Sequence, residues 1–511
     1  MRVRGLIFLA TLVLATGSAF AASDPAKAAA DAWRQAHERQ ILDELSGFVS
    51  LPDVAANIAD VDANAARLEE MLRTRGFAVR LLRASPGTPA TVFGELKVPG
   101  AKRTVLYYAH YDGQPVGQRG WASPPFTPTI RSGRLGAEGV HDVDWRAAPG
   151  PANTDWRLYA RAAADDKVTI EALLAAMDAL KAADLKPSVN IKLYYEGEEE
   201  QGSPHIATIV AANRDLLKTD LIVMGDGPMH QSGRQMVNFG SRGYLGARMT
   251  VFGPLRPLHD GHYGSWAPSP AVEIARLIAS LRDDSGHILI PHFYDAVRPP
   301  TPAEKAALAA LPSVEEPLAH DFGIVPITRG RLADSYFRPT LNVRAIHVGD
   351  EGPNAANAVA TQASASIDFR LTPGETPGDV KALTEHYLAS QGWLIVNFPP
   401  NLATRLANPK ILLLIWDEGS SMPVRTDIEA PAAKASVAAI QRVEREPVLE
   451  LPMVGASSGI AAVVTGLNAP MVGVSIANYD DNQHAENENI RLGNLWDGID
   501  VYAALLSELD W

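Results

Sequence analysis

The sequence contains no cysteine, and this absence excludes several kinds of chemistry at once. None of the 511 residues is a cysteine. No disulfide can therefore cross-link the fold, and no thiolate can act as a nucleophile or bind zinc. Any metal site in this chain has to use histidine, aspartate and glutamate side chains.

The chain also lacks an excess of positive charge. It has 46 lysines and arginines against 59 aspartates and glutamates, which gives a net charge of −13. A surface of this sign repels phosphate groups, so nucleic acids and anionic membranes are excluded as partners.

Long apolar runs are absent as well, except near the start of the chain. Residues 6–15 are almost wholly apolar, follow Arg2 and Arg4, and precede the small residues Ala19 and Ala21. This pattern predicts a signal peptide over residues 1–21, too short to span a bilayer, with cleavage after Ala21. The mature protein is predicted to be exported and to have no membrane partner. The periplasm is the expected destination, and release from the cell is the alternative.

The remaining length exceeds what one hydrophobic core normally holds, so at least two domains are expected. Strand-like and helix-like runs alternate over residues 22–240 and again over residues 408–511. This alternation predicts one α/β domain with a mixed, mainly parallel sheet flanked by helices. A β-α-β-α-β rhythm over residues 241–407 predicts an inserted α+β domain of ferredoxin-like type.

The most informative segment is an acidic cluster that follows an apolar, strand-like run at residues 189–194. It contains Glu196, Glu198, Glu199 and Glu200. Four like charges at the end of a buried strand repel each other and lose hydration, so a cation is expected to gather there.

Further histidines and acids fall at or just beyond the ends of other predicted strands, where α/β domains place their active sites. They are His110, Asp112, Asp165, Asp166, Asp226 and His484. Each alone is weak support for a metal site, but together they predict one.

The order of these motifs is His-x-Asp, Asp-Asp-Lys, Glu-Glu-x-Gly, Asp after a strand, and His-x-x-Asn-Glu. With their flanking residues 108–115, 121–126 and 196–203, they resemble the di-zinc peptidase family of carnosinase, dipeptidase V, glutamate carboxypeptidase and aminoacylase. The resemblance covers nearly all of the chain after residue 21. It implies a catalytic domain over residues 22–240 and 408–511, with residues 241–407 as a lid and dimerisation domain.

The resemblance also implies two zinc ions per subunit, although a site built from oxygen and nitrogen ligands accepts Mn²⁺ or Co²⁺ too. His110 and Asp226 would bind one ion, Glu200 and His484 the other, and Asp165 both. Asp112 would orient His110, and Glu199 would be the general base for a hydroxide that bridges the metals. The family further has a cis peptide bond after its bridging aspartate, here between Asp165 and Asp166.

Within the inserted domain, the resemblance points to residues that contact the substrate. His259, in the motif at residues 258–264, would stabilise the oxyanion, in a homodimer by reaching the partner's active site. Asn357 lies in a motif resembling N-x-I-P, and Arg370 would bind the substrate carboxylate. In the Gly-rich loop at residues 455–459, Ser458 is chosen as a further contact.

Taken together, these features predict an exported di-zinc metallopeptidase. It would hydrolyse the amide bond of dipeptides or short peptides with a free C-terminal carboxylate. An N-acyl-amino-acid amidohydrolase is the nearest alternative, because the two reactions differ mainly on the far side of the scissile bond. A non-catalytic peptide-binding relative is a third reading, and the complete set of ligand positions together with Glu199 argues against it.

Overall fold

The computed structural model describes residues 24–117 and 119–511. The predicted signal peptide, residues 1–21, lies outside the described residues. Among the residues that the structure describes, no helix is long and apolar enough to span a bilayer.

The first domain is built on a mixed sheet of eight strands, and four of its seven pairings are parallel. This confirms the predicted α/β class. In spatial order the strands are Ala78–Leu82, Thr91–Leu96, Asn190–Glu196, Thr104–His110, Leu221–Met224, Met471–Gly473, Met236–Asn238 and Leu449–Leu451.

Helices cover both faces of this sheet, and the central strand shows why its sequence is apolar throughout. Val105 and Tyr107 point into one core, whereas Leu106 and Tyr108 point into a second core on the opposite face. A strand buried on both faces reads as a continuous apolar run rather than an alternating one. The first core is covered by Pro25–Val49, Ile58–Thr74, Lys167–Ala182, Pro431–Gln441 and Leu492–Glu508, and the second by Ile206–Ala212, Arg214–Leu217 and Ile460–Leu467.

The inserted domain has its own five-stranded sheet, with two helices packed on one face around a separate core. The strand order agrees with the predicted ferredoxin-like arrangement, with one additional parallel strand at an edge. The strands in spatial order are Thr340–His347, Gln362–Leu371, Gly243–Phe252, Ile411–Ser421 and Leu394–Val396, and the helices are Pro270–Leu281 and Pro377–Ser390.

The predicted return to the first domain at residue 408 comes too early. Ile411–Ser421 pairs antiparallel with Gly243–Phe252, and its Leu412 and Leu414 enter the core of the insert. The apolar run at the start of this strand fits either domain equally well. Its pairing partner, far away in sequence, decides where it belongs.

A short helix links these two bodies. The helix Pro302–Ala310 leaves the insert and packs against the edge strand Leu449–Leu451, where Leu308 and Phe337 join a small apolar cluster. The other elements are the helices Glu315–Phe322, Leu332–Ser335, Leu402–Ala407 and Asp260–Tyr263, the three-stranded sheet of Thr129–Arg131, Arg157–Tyr159 and Asn489–Arg491, and the pairs Leu258–His259 with Ala358–Val359 and Gly240–Ser241 with Val424–Arg425.

A buried ion pair fixes the start of the helix Lys167–Ala182. Lys167 and Asp53 are both fully buried, with 2.7 Å between the Lys167 Nζ and the Asp53 Oδ2. The Lys167 ammonium also donates a hydrogen bond of 3.2 Å to the carbonyl of Phe48.

We predict that Lys167→Met lowers the free energy of unfolding by about 3–5 kcal/mol, because it leaves the Asp53 carboxylate buried without its partner. Urea unfolding followed by circular dichroism measures this loss. The control is Lys167→Met combined with Asp53→Asn, which leaves no unpaired charge and should recover part of the stability. A single variant as stable as the double variant would contradict the prediction.

Candidate metal centre

Three adjacent parallel strands bring the predicted ligands to one edge of the large sheet. Thr104–His110 lies between Asn190–Glu196 and Leu221–Met224 and is parallel to both. Their carboxyl ends therefore meet at the same edge. His110 ends the central strand, Asp226 follows the strand on one side, and Glu200 follows the strand on the other.

Two groups of three side chains form at this edge, and Asp165 belongs to both. His110, Asp165 and Asp226 make the first group, and Asp165, Glu200 and His484 make the second; within each group the ligand atoms lie within 4.8 Å of one another. The structure thus brings together all five residues that the resemblance implied as ligands, and their role as ligands stays a prediction.

Asp165 holds the centre of this arrangement. Its Oδ1 lies 2.8 Å from the Nε2 of His110, and its Oδ2 lies 3.2 Å from the Nε2 of His484. The Nε2 of His484 is also 3.2 Å from the Oε2 of Glu200. The peptide bond between Asp165 and Asp166 is cis, as the resemblance implied.

Asp112 organises the surroundings of these groups without entering either of them. Its carboxylate is fully buried and accepts the main-chain N–H groups of Glu199 at 3.1 Å and of Glu200 at 3.0 Å. Its main-chain oxygen lies 3.0 Å from the Nδ1 of His110. Asp112 therefore fixes both the imidazole and the short turn Glu199–Gln201, which fits a residue that orients a metal-binding histidine.

The pKa values of Asp226, Glu199 and His484 are raised in this cluster, whereas that of Asp165 is lowered by its hydrogen bonds to His110 and His484 against the effect of burial. Burial, together with the nearby Asp165, raises the pKa of Asp226 to about 7. Burial and the charge of Asp226 raise the pKa of Glu199 well above its usual range. Hydrogen bonds to Asp165 and Glu200 raise the pKa of His484 to about 10.

The crowding of acids contributes to all three shifts, whereas burial raises the pKa of the two acids and opposes the rise at His484. Divalent cations relieve that crowding more effectively than protons do, and the donor set of imidazole nitrogens and carboxylate oxygens suits Zn²⁺, Mn²⁺ or Co²⁺. The residues present therefore fit two divalent ions.

Two amide side chains near the centre were not predicted from the sequence. Gln114 donates a hydrogen bond of 2.7 Å to Glu200, and Gln483 donates one of 2.6 Å to Asp165. Both lie next to predicted motifs, at the end of residues 108–115 and immediately before His484. Their positions in or beside those motifs could have identified them from the sequence.

Arg370 of the insert meets the Gly-rich loop of the first domain. Its guanidinium lies 5.2 Å from the centre of the Tyr244 ring, is held by Asp368 at 3.2 Å, and donates a hydrogen bond of 3.1 Å to the hydroxyl of Ser457. The hydroxyl of Ser458 accepts the main-chain N–H of Ile460 at 3.2 Å, and its contact with a substrate stays a prediction. Two consecutive serines present their side chains to different surroundings, and the sequence does not distinguish them.

His259 belongs to neither group of three. It is exposed, in the short strand Leu258–His259, which pairs with Ala358–Val359. This pairing places it beside Asn357, whose carbonyl accepts the main-chain N–H of Asp260 at 3.1 Å. Contact of His259 with a partner's active site, and the homodimer itself, stay predictions.

Comparison with known proteins identifies the family. The model of peptidase family M20/M25/M40 matches residues 141–508. The chain belongs to this family. Its members are metal-dependent hydrolases, so the predicted enzyme class and the resemblance are both confirmed.

Curated relatives cover most of the chain. The chain is 24% identical over 431 residues to the Cys-Gly metallodipeptidase dug1 of Schizosaccharomyces pombe, covering 82% of this chain and 83% of that protein. It is 26% identical over 431 residues to the Beta-Ala-His dipeptidase of Mus musculus, with 82% and 80% covered.

Solved structures show the same architecture. The M20 family metallo-carboxypeptidase Sso-CP2 from Sulfolobus solfataricus superposes with a TM-score of 0.76 at 26% identity, covering 92% of this chain and 99% of the other. Human carnosine dipeptidase 1 superposes with a TM-score of 0.73 at 22% identity, with 94% and 99% covered, which supports the fold.

We predict that Zn²⁺ raises the unfolding temperature of the chelator-treated protein. A ligand that binds only the folded state adds about 2.7 kcal/mol of stability at a free concentration of 100 Kd. Differential scanning calorimetry measures the shift. The variant Asp165→Asn should respond much less, because both groups lose their shared carboxylate, and an unchanged unfolding temperature of the wild-type protein would contradict the prediction.

Proposed function

We propose that this protein is an exported metallopeptidase that uses two divalent ions, in the first instance Zn²⁺, to hydrolyse dipeptides or short peptides with a free C-terminal carboxylate. The observation that carries the proposal is the pair of ligand groups that share Asp165, with Glu199 in the adjacent turn. The dipeptidase and carboxypeptidase names of the relatives support this substrate class. Export rests on the N-terminal sequence pattern.

Each residue at the centre has a distinct task in such a reaction. The ions, when bound, lower the pKa of water and polarise a carbonyl group. Glu199 accepts a proton from the attacking water and donates it to the leaving amine. Its raised pKa, caused by burial and the charge of Asp226, suits this shuttle, because a more basic carboxylate accepts a proton from water more readily.

The carboxylate end of the substrate is assigned to the junction of the two domains. The Arg370 guanidinium is anchored on one side by Asp368 and is half-buried beside Ser457. A guanidinium fork can bind a carboxylate with two parallel hydrogen bonds. A substrate bound there would extend from the insert towards the metal centre.

We predict that the wild-type enzyme hydrolyses dipeptides in a panel of dipeptides, longer peptides and N-acyl amino acids, assayed with Zn²⁺, Mn²⁺ and Co²⁺. Glu199→Gln should lower kcat by about 10²- to 10⁴-fold, the usual contribution of a general base. Metal analysis should still find two ions per chain in this variant.

The matched control is Glu486→Gln, which removes an exposed carboxylate of the nearby loop and should leave kcat unchanged. Exclusive turnover of N-acyl amino acids would replace the peptidase with the amidohydrolase. Binding of dipeptides without turnover by the wild type would indicate a non-catalytic relative.

We predict that Arg370→Met lowers kcat/KM for a dipeptide by about 100-fold, because the substrate carboxylate loses charge-assisted hydrogen bonds. Hydrolysis of the same dipeptide as its C-terminal amide should change little. Ser457→Ala should show a smaller loss, and Ser458→Ala is its matched control. An equal loss for the acid and the amide would show that Arg370 does not bind the carboxylate.

A further inference from the structure

Glu488 is a buried carboxylate near the metal centre that has no part in the chemistry described above. It lies four residues after His484 and is 1% exposed. It is the glutamate of the motif His-x-x-Asn-Glu, and neither group of three ligands includes it.

All four of its recorded donors come from the segment that leads to Asp165. One carboxylate oxygen accepts the main-chain N–H groups of Ala164 and Asp165, both at 3.0 Å. The other accepts the N–H of Ala162 at 3.1 Å and the guanidinium of Arg161 at 2.7 Å.

These bonds meet a specific need of the segment. Residues 160–165 lie between the strand Arg157–Tyr159 and the helix Lys167–Ala182, and they are buried. Because this segment belongs to no strand or helix, its N–H groups cannot be paired by the regular hydrogen bonds of a sheet or a helix. An unpaired buried N–H group costs about 1–3 kcal/mol. Ala162 also has a φ of 57°, in the left-handed region that alanine seldom adopts without such support.

The backbone of Glu488 completes the attachment. Its carbonyl accepts the N–H of Ala160 at 3.2 Å, and the following strand Asn489–Arg491 pairs with Arg157–Tyr159. The short segment that carries His484 is therefore fastened, side chain and main chain, to the segment that carries Asp165.

We propose that Glu488 is a positioning residue that preforms the metal centre by fixing the backbone of Asp165 before any ion binds. This inference rests on the proposed two-metal site. Because Asp165 belongs to both ligand groups, loss of Glu488 weakens the binding of both ions. A residue that merely supported His484 would affect the second group alone.

The test compares Arg161→Met with the double variant Arg161→Met, Glu488→Met. The single variant keeps the carboxylate that accepts the N–H groups but leaves it without its guanidinium, whereas the double variant removes both charges. The unpaired charge disfavours the single variant, so it cannot by itself make the double variant bind metal more weakly. Dissociation constants for two Zn²⁺ ions are measured by competition with a chromogenic chelator, and unfolding temperatures are measured on the metal-free proteins.

We expect the double variant to bind both ions about 10- to 100-fold more weakly than Arg161→Met, the usual effect of losing a group that holds a ligand in place. Arg161→Met should stay close to the wild type in affinity. Equal affinities in the two variants, or weakening of one ion only, would overturn the inference. A wild-type protein that binds no Zn²⁺ would overturn the proposed function instead.

A second measurement needs no variant and holds even if the double variant does not fold. Hydrogen exchange followed by mass spectrometry on the metal-free wild type should show slow exchange for peptides that span residues 161–165. Exchange at the rate of an unstructured chain would show that Glu488 does not hold this segment, and would overturn the inference.

Discussion

Repulsion between carboxylates at one edge of a sheet is the constraint on which the rest of this structure depends. Asp165, Asp226, Glu199 and Glu200 are gathered where three parallel strands end, in a space with little water. Such a cluster lasts only if positive charge compensates it and if the surrounding backbone resists its tendency to spread. Carboxylates take part on both sides of this balance, because some would bind the compensating cations and others restrain the backbone.

Some carboxylates face the space where cations gather, and others face the backbone. Asp112 accepts two N–H groups from the turn that carries Glu199 and Glu200. Glu488 accepts three from the segment that carries Asp165. The proposed ligands thus lie on irregular segments whose main-chain N–H groups are hydrogen-bonded to buried carboxylates. These hydrogen bonds fix the positions of the loops, as regular main-chain hydrogen bonds do in strands and helices.

The five proposed ligands could be singled out from the sequence because the motifs that carry them are local, and the structure brings these five side chains together. His110, Glu200 and Asp226 follow apolar strands that end at the same sheet edge, whereas Asp165 and His484 lie in irregular segments elsewhere in the chain. Sequence reasoning failed where long-range pairing decides. Ile411–Ser421 reads like any half-buried strand, and only its hydrogen bonds with Gly243–Phe252 assign it to the insert.

The same limit applies to side chains whose partners lie far away in the sequence. Ser457 and Ser458 are neighbours of identical type, and the position of Arg370 on another domain makes one of them relevant. Glu488 looked like an ordinary polar loop residue, because its partners lie more than 300 positions earlier in the chain. Acceptors for buried main-chain N–H groups leave no periodic trace in a sequence.

The positions of these residues along the chain also set the order in which they are synthesised. His110, Asp165 and Asp226 are all present once the first half has been made, but His484 and Glu488 arrive close to the C-terminus. The first group is therefore complete in sequence long before Glu488, which fixes the backbone of its shared aspartate, has been made. The second group needs His484, which shortly precedes the last strand, Asn489–Arg491. Both groups can therefore be complete only when nearly the whole chain has been made.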